Sequence, residues 1–231
     1  MTHPRIPHPG LSDDPFMVMA SGRKYPFLSA APDDIDFRDL AEMLARLPRF
    51  AGATEGAPYS VAQHSVLGLD HCTAEVKPYF LLHDAHEAAL GDWITPLQWA
   101  LQESAARMAD TANLGMTDQH ARLAVRLALG NLKEIADRAI HARAGLEWPR
   151  PAAIEFEVRK ADRMMLGREV RWLVPDGPAR RDWLKADPLL AKTPKGAKIT
   201  PWPWATAAEV YAETLDEHLP ALRHPAAAMA N

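Results

Sequence analysis

Apolar positions along the chain recur at helical spacing, and proline and glycine punctuate them. After Asp36, residues Phe37, Leu40, Leu44 and Leu47 fall at i, i+3, i+7 and i+10, one stripe of a helix that Pro48 ends. Residues 49–59 read as a turn-rich loop, and Ser60-Val61-Ala62-Gln63 has the capping-box pattern that opens a second helix. A third helix is predicted from Pro78 through YFLLHDAHEAAL to Gly91. Thr95-Pro96-Leu97-Gln98 opens another, to about residue 109. Helices are further predicted at 118–128 and 131–144, and a long one runs from Pro151 to about Leu173 with Ile154, Val158, Ala161 and Met165 on one face. Residues 176–205 read as an insertion rich in Pro, Lys and Trp, and 206–222 as a last amphipathic helix. Period-2 alternation never lasts, so no strand is predicted. The expected class is all-α: a single domain over 1–231, with a core over about 36–173 and a Pro- and Gly-rich arm over 1–34.

Composition narrows the field. With 231 residues, 48% hydrophobic and 24% charged, the chain is neither disordered nor collagen-like. A net charge of -4 argues against binding a nucleic acid polymer. No apolar run approaches the roughly 20 residues that span a bilayer, and MTHPRIPHPG lacks a secretory h-region, so a soluble cytoplasmic protein without membrane contact is expected. Cys72 is the sole cysteine, which excludes a disulfide framework and a cysteine-based zinc finger.

Candidate chemistry concentrates in Leu81-Leu82-His83-Asp84-Ala85-His86-Glu87. An imidazole and a carboxylate follow a run that is apolar on all sides, and buried charges are normally paired or bound to metal. Glu87, four residues after His83 and three after Asp84, is expected on the same side of the helix. An isolated His-Asp pair is more often a self-satisfied core pair. Company changes that reading: His64 follows the capping box and Asp162 sits midway along the long helix. Two histidines and two aspartates from three helices make an N/O site suited to first-row divalent ions.

His64, His83-Asp84 and Asp162 resemble the H…HD…D signature of HD-domain metal-dependent phosphohydrolases. Gly91-Asp92-Trp93-Ile94-Thr95-Pro96 is similar to the GD-x-x-TP element of their 5'-deoxynucleotidase-like branch, and Arg49 stands fifteen residues before His64, as that branch's substrate arginine does before its first histidine. Ser21-Gly22-Arg23 and SVAQHS resemble a bacterial and phage subgroup of the same enzymes. The resemblance implies an HD-type helical bundle holding one divalent cation (Mn, Co, Ni, Fe, Zn or Mg) on His64, His83, Asp84 and Asp162. It implies Glu87 and Asp92 as catalytic groups and Arg49, Phe50 and Thr95 as substrate-binding ones. It also implies a nucleotide substrate and a homodimer. Phe50 stands where the branch carries a tryptophan that packs on the sugar, which weakens strict deoxyribose selectivity.

Each auxiliary residue has a plainer reading. Arg49 could serve a helix terminus, Asp92 could cap the turn after Gly91, and Glu87 could be a solvated helix residue. His86 is expected in an outer position or at the surface. His71, His120 and His141 lack the spacing of a second metal site, and His3, His8, His218 and His224 are expected to be solvated. Trp93, Trp99 and Trp172 read as core; Trp183, Trp202 and Trp204 read as anchors of the insertion or as a substrate lid. The leading activity is phosphate release from (deoxy)nucleoside 5'-monophosphates by a metal-activated water. One alternative is a dNTP triphosphohydrolase, with Arg23, Lys24, Lys192, Lys195 and Lys198 lining a cationic channel; another is a non-catalytic metal- or nucleotide-binding module.

Overall fold

The computed structural model describes residues 14–112, 115–187, 190, 192, 193 and 196–223. His3, His8, His224 and Lys195 lie outside them. The protein is all-α, built of α1 (Phe37–Arg46), α2 (Val61–Leu67), α3 (Lys77–Leu81), α4 (Glu87–Leu90), α5 (Thr95–Thr111), α6 (Asp118–Ala144), α7 (Ala152–Trp172), α8 (Pro178–Ala186), α9 (Trp204–His218) and α10 (Pro220–Arg223). The expected absence of strands needs one correction. β1 (Phe16–Val18) and β2 (Lys24–Pro26) pair antiparallel in the arm, Met17 opposite Tyr25, and are too short to leave a period.

Local rules account for most boundaries. Asp36 caps α1 by accepting from Arg38 N at 2.8 Å, and Leu40 and Leu44 of the predicted stripe are buried. Only half of the Ser60 capping box forms: Ser60 Oγ accepts from Gln63 N at 3.2 Å. The Gln63 side chain turns elsewhere. Its Nε2 donates to Thr200 O and its Oε1 accepts from Trp202 N, both at 2.8 Å, which ties α2 to the chain ahead of α9.

The predicted elements differ in three stretches. The helix expected from Pro78 to Gly91 breaks into α3 and α4. Between them His83 N, Ala85 N and Glu87 N donate to carbonyls three residues back, and Phe80 O also accepts from His83 Nδ1 at 2.6 Å. A ring nitrogen on that carbonyl competes with the α-helical bond it would otherwise receive, so the turn tightens. The two helices expected at 118–128 and 131–144 are one. Gly130 costs about 1 kcal/mol in a helix interior, less than the packing α6 keeps by running on beside α5. Gly145, with φ 71°, ends α6 as expected. Within the predicted insertion, residues 178–186 form α8, and the last helix starts at Trp204 and stops before Pro220.

The main core joins α1, α2, the 81–88 segment, α6 and α9, through Leu40, Leu44, Leu81, Leu82, Ile140 and Tyr211. Phe80 packs separately with Ile154, Val158 and Ala161 of α7, as that helix's stripe predicts. Trp172 is partly buried against a third cluster, whereas Trp93 and Trp99 are 41% and 67% exposed, which corrects their reading as core. Among the described residues no helix is long and apolar enough to cross a membrane.

Candidate metal centre

His64 sits in the middle of α2, His83 and Asp84 on the tight turn after α3, and Asp162 near the middle of α7. The fold brings all four together. His64 Nε2 lies 3.3 Å from His83 Nε2 and 3.3 Å from Asp162 Oδ1, and His83 Nε2 lies 3.1 Å from Asp84 Oδ2. Both imidazoles are buried, while the Asp162 side chain keeps 40% of its surface and opens the cluster to solvent.

The tautomers follow from the partners. His64 Nδ1 faces the Glu169 carboxylate at 2.6 Å and His83 Nδ1 faces the Phe80 carbonyl at 2.6 Å. Both partners only accept, so each Nδ1 carries the hydrogen and each Nε2 offers a lone pair. Two lone pairs 3.3 Å apart, flanked by two carboxylates, require a cation among them. Without a metal the cation is a proton. Burial works against a charged His83, but Asp84 and Asp162 outweigh it and push the imidazole up to about 10. Burial likewise opposes ionised Asp84 and Asp162, and the histidines hold both below the usual carboxylate range. His64, His83 and Asp162 thus form a group that could hold a metal ion, with Asp84 beside it.

Glu169, which sequence reasoning overlooked, is fully buried beneath this cluster. It accepts from His64 and lies 3.3 Å from Arg49 Nη2, while Arg49 Nη1 donates to Asp84 Oδ2 at 3.2 Å. A carboxylate behind a ligand imidazole fixes its tautomer and orientation. Glu169 lies two helical turns after Asp162 and four residues after Met165, so it continues the buried stripe of α7; that spacing was the available signal.

Arg49 is more than a helix-terminus cation. It enters a loop in which Phe50 and Ala51 have φ of 57° and 51°, left-handed conformations that cost a non-glycine residue about 1–2 kcal/mol each. Such outliers persist where the surroundings over-determine them, often at functional sites. The guanidinium lies 5.7 Å from the Phe50 ring, which also meets Trp183 of α8 edge-on at 6.1 Å. Next along, Arg163 pairs with Asp187, so α8 stands at the rim of the cluster.

Glu87 is no solvated helix residue. With Asp84 and His86 it forms a second group of potential ligand atoms within 4.8 Å of one another. Burial, then the Asp84 and Asp92 carboxylates, push Glu87 up to about 9. Asp92 is half-buried, and burial raises its carboxyl too. His86, expected outside or at the surface, is buried and donates through Nδ1 to Asp137 at 3.0 Å. Thr95 is exposed at the start of α5 and makes no hydrogen bond to the cluster among the described residues. Of the expected cationic channel, Arg23 donates to Asp33 O and Lys24 lies over the Phe16 ring; both are held in the arm. His120 is exposed, His71 is partly buried, and buried His141 sits on the far side of Asp137, whose carbonyl takes its Nδ1 at 2.8 Å.

No family model matches the chain. A protein of Rhodobacter capsulatus described as uncharacterized is 31% identical over 185 residues, 75% of this chain and 82% of that protein. The chain belongs to that protein's family. The uncharacterized protein YfdR of Escherichia coli is 36% identical over 88 residues, a match covering 38% of this chain and about half of YfdR.

Proposed function

We propose that the protein is a metal-dependent phosphohydrolase of the HD type that releases phosphate from (deoxy)nucleoside 5'-monophosphates. The observation that carries this reading is the ring of opposed acceptors on His64, His83, Asp84 and Asp162, roofed by an arginine fork. That donor set fits a divalent first-row ion or Mg. When bound, the ion polarises a phosphoryl oxygen and lowers the pKa of a bound water. Arg49 supplies planar donors to the phosphate, for which it exchanges part of its contact with Asp84. Glu87, whose carboxyl is raised by burial and by the Asp84 and Asp92 carboxylates, would give a proton to the leaving oxygen, and Asp92 extends the carboxylate side. Arg23 and Lys24 are held in the arm, which favours a monophosphate over a triphosphate.

The test is a panel of dAMP, AMP, dATP and an aryl phosphate with Mn²⁺ or Co²⁺, on the wild type and Asp84→Ala. Phosphate from dAMP, lost on chelation and in the variant, is the expected result. Triphosphate from dATP with dAMP inert overturns the reading in favour of a triphosphohydrolase.

A further inference from the structure

A cleft of about 380 Å³ begins at Glu87 and His86, the group that reaches Asp84, and runs between α4, α5 and α6 under the arm. We propose that this cleft binds the base of a nucleotide whose phosphate lies on the His64–His83–Asp84–Asp162 cluster; the proposal rests on the phosphohydrolase reading and names what surrounds the leaving group.

Its walls suit a flat heteroaromatic ring. Trp93 is pinned by Nε1 donating to Leu90 O at 2.6 Å, yet its ring stays 41% exposed, and Leu28 of the arm is 50% exposed. Leu129 and Leu132 of α6 line the cleft and belong to none of the buried core clusters. Large apolar side chains left open in this way mark a ligand groove. The polar groups are few and spare. Gln98 donates Nε2 to Trp93 O at 2.5 Å, which leaves Oε1 as an acceptor, and Lys133 makes no ion pair among the described residues. One acceptor and one donor beside an aromatic face match the edge of a base. An acyl chain would leave Oε1 of the half-buried Gln98 without a partner.

A second cavity, about 330 Å³, lies across His86 and Lys133 and contains Trp148 and Arg150. Apart from Lys133, which it shares with the first cleft, and His83 of the cluster, its polar side chains are already matched. Arg150 donates to Glu155, Asp137 accepts from His86, and the Trp148 indole donates to Glu134. The first cleft is therefore the better base site.

Adenosine, titrated against the ¹⁵N-labelled protein, reads base binding without phosphate or turnover; Trp93→Phe assigns the Trp93 indole signal. In parallel, kcat/KM is measured for dAMP and for base-free 2-deoxyribose 5-phosphate. Expected is an adenosine shift at Trp93 that Leu129→Trp abolishes, with the dAMP/sugar phosphate ratio lowered ~tenfold, the scale of one base–aromatic stack. Gln98→Ala, at a half-buried site, should lower the ratio as well and does not depend on Leu129→Trp folding. An adenosine shift at Trp148 alone, or an unchanged ratio in both variants, overturns the proposal. A Trp93 shift with no phosphate released from either substrate supports the cleft and overturns the phosphohydrolase reading instead.

Discussion

Replacing Glu169 by Gln tests whether the site is organised from behind. Glu169 has no exposed surface and meets two functional groups, His64 Nδ1 at 2.6 Å and Arg49 Nη2 at 3.3 Å. Gln keeps the volume and an oxygen for the His64 hydrogen, but its amide donors then face the guanidinium. Arg49 is left with Asp84 alone, so it competes harder with the metal for that carboxylate. Outer partners of metal ligands typically contribute 10–100-fold to affinity, about 1.4–2.7 kcal/mol. A charged hydrogen bond lost inside the protein adds about 1.5–3 kcal/mol of destabilisation. Glu169→Gln should therefore bind Mn²⁺ or Co²⁺ about tenfold more weakly in a competition titration against a fluorescent chelator, and melt lower in metal-free buffer. Glu169→Ala should cost more, about 3–5 kcal/mol, because it strands a buried cation. Metal affinity within twofold of wild type in Glu169→Gln, with an unchanged melting temperature, would refute the reasoning and make Glu169 a buried spacer.

Arg49→Lys keeps the charge but cannot reach Asp84 and Glu169 from two nitrogens at once; KM for a phosphomonoester should rise about tenfold with the metal retained, and equal KM values for wild type, Lys and Ala would return Arg49 to a structural role. Burial, with Arg150 adding to it, lowers His141 to about 4, against 6.5 in the unfolded chain. Its folded pKa is depressed, so the unfolded state binds more protons between those values. Stability is full above about pH 6.5, falls by about 3 kcal/mol as pH drops to 4, and levels off below; urea melts of His141→Gln across that window should lack this part of the slope. Gly68→Ala would drive a methyl into the Phe80 ring, which stacks on His83 at 4.5 Å, and should lower stability by about 1–3 kcal/mol in thermal melts, whereas an unchanged Tm would mean that the ring yields freely.

The long periodic helices were the legible part of the fold. Leu40 and Leu44 on α1, and Ile154, Val158, Ala161 and Met165 on α7, point inward because burial selects the 3.6-residue stripe. The break after Leu81 was not legible, because it follows from a side chain bonding the Phe80 carbonyl rather than from any proline or glycine. The union of α6 across Gly130 was missed for the opposite reason: packing on α5 overrides a weak local preference. The four residues of the candidate metal centre were readable as types that need partners, and the fold brings each histidine within 3.9 Å of both aspartates. Glu169 was hidden among charged neighbours of a long helix, where only its position on the buried face sets it apart. His86 deceived because its partner Asp137 comes from a helix fifty-one residues later.

Gln63 behaves as a borrowed piece of backbone. Its amide donates to Thr200 O and accepts from Trp202 N, the alternate-residue pairing that a neighbouring strand offers, although no strand lies there among the described residues. A single side chain thereby sets the register of a segment 137 residues further along the chain, and it does so from α2, next to His64. Asparagine is one methylene too short to span both groups and glutamate has no hydrogen to donate, so the position admits only one amide. The segment ahead of α9 is thereby fastened to the residue next to His64, an imidazole of the candidate metal centre.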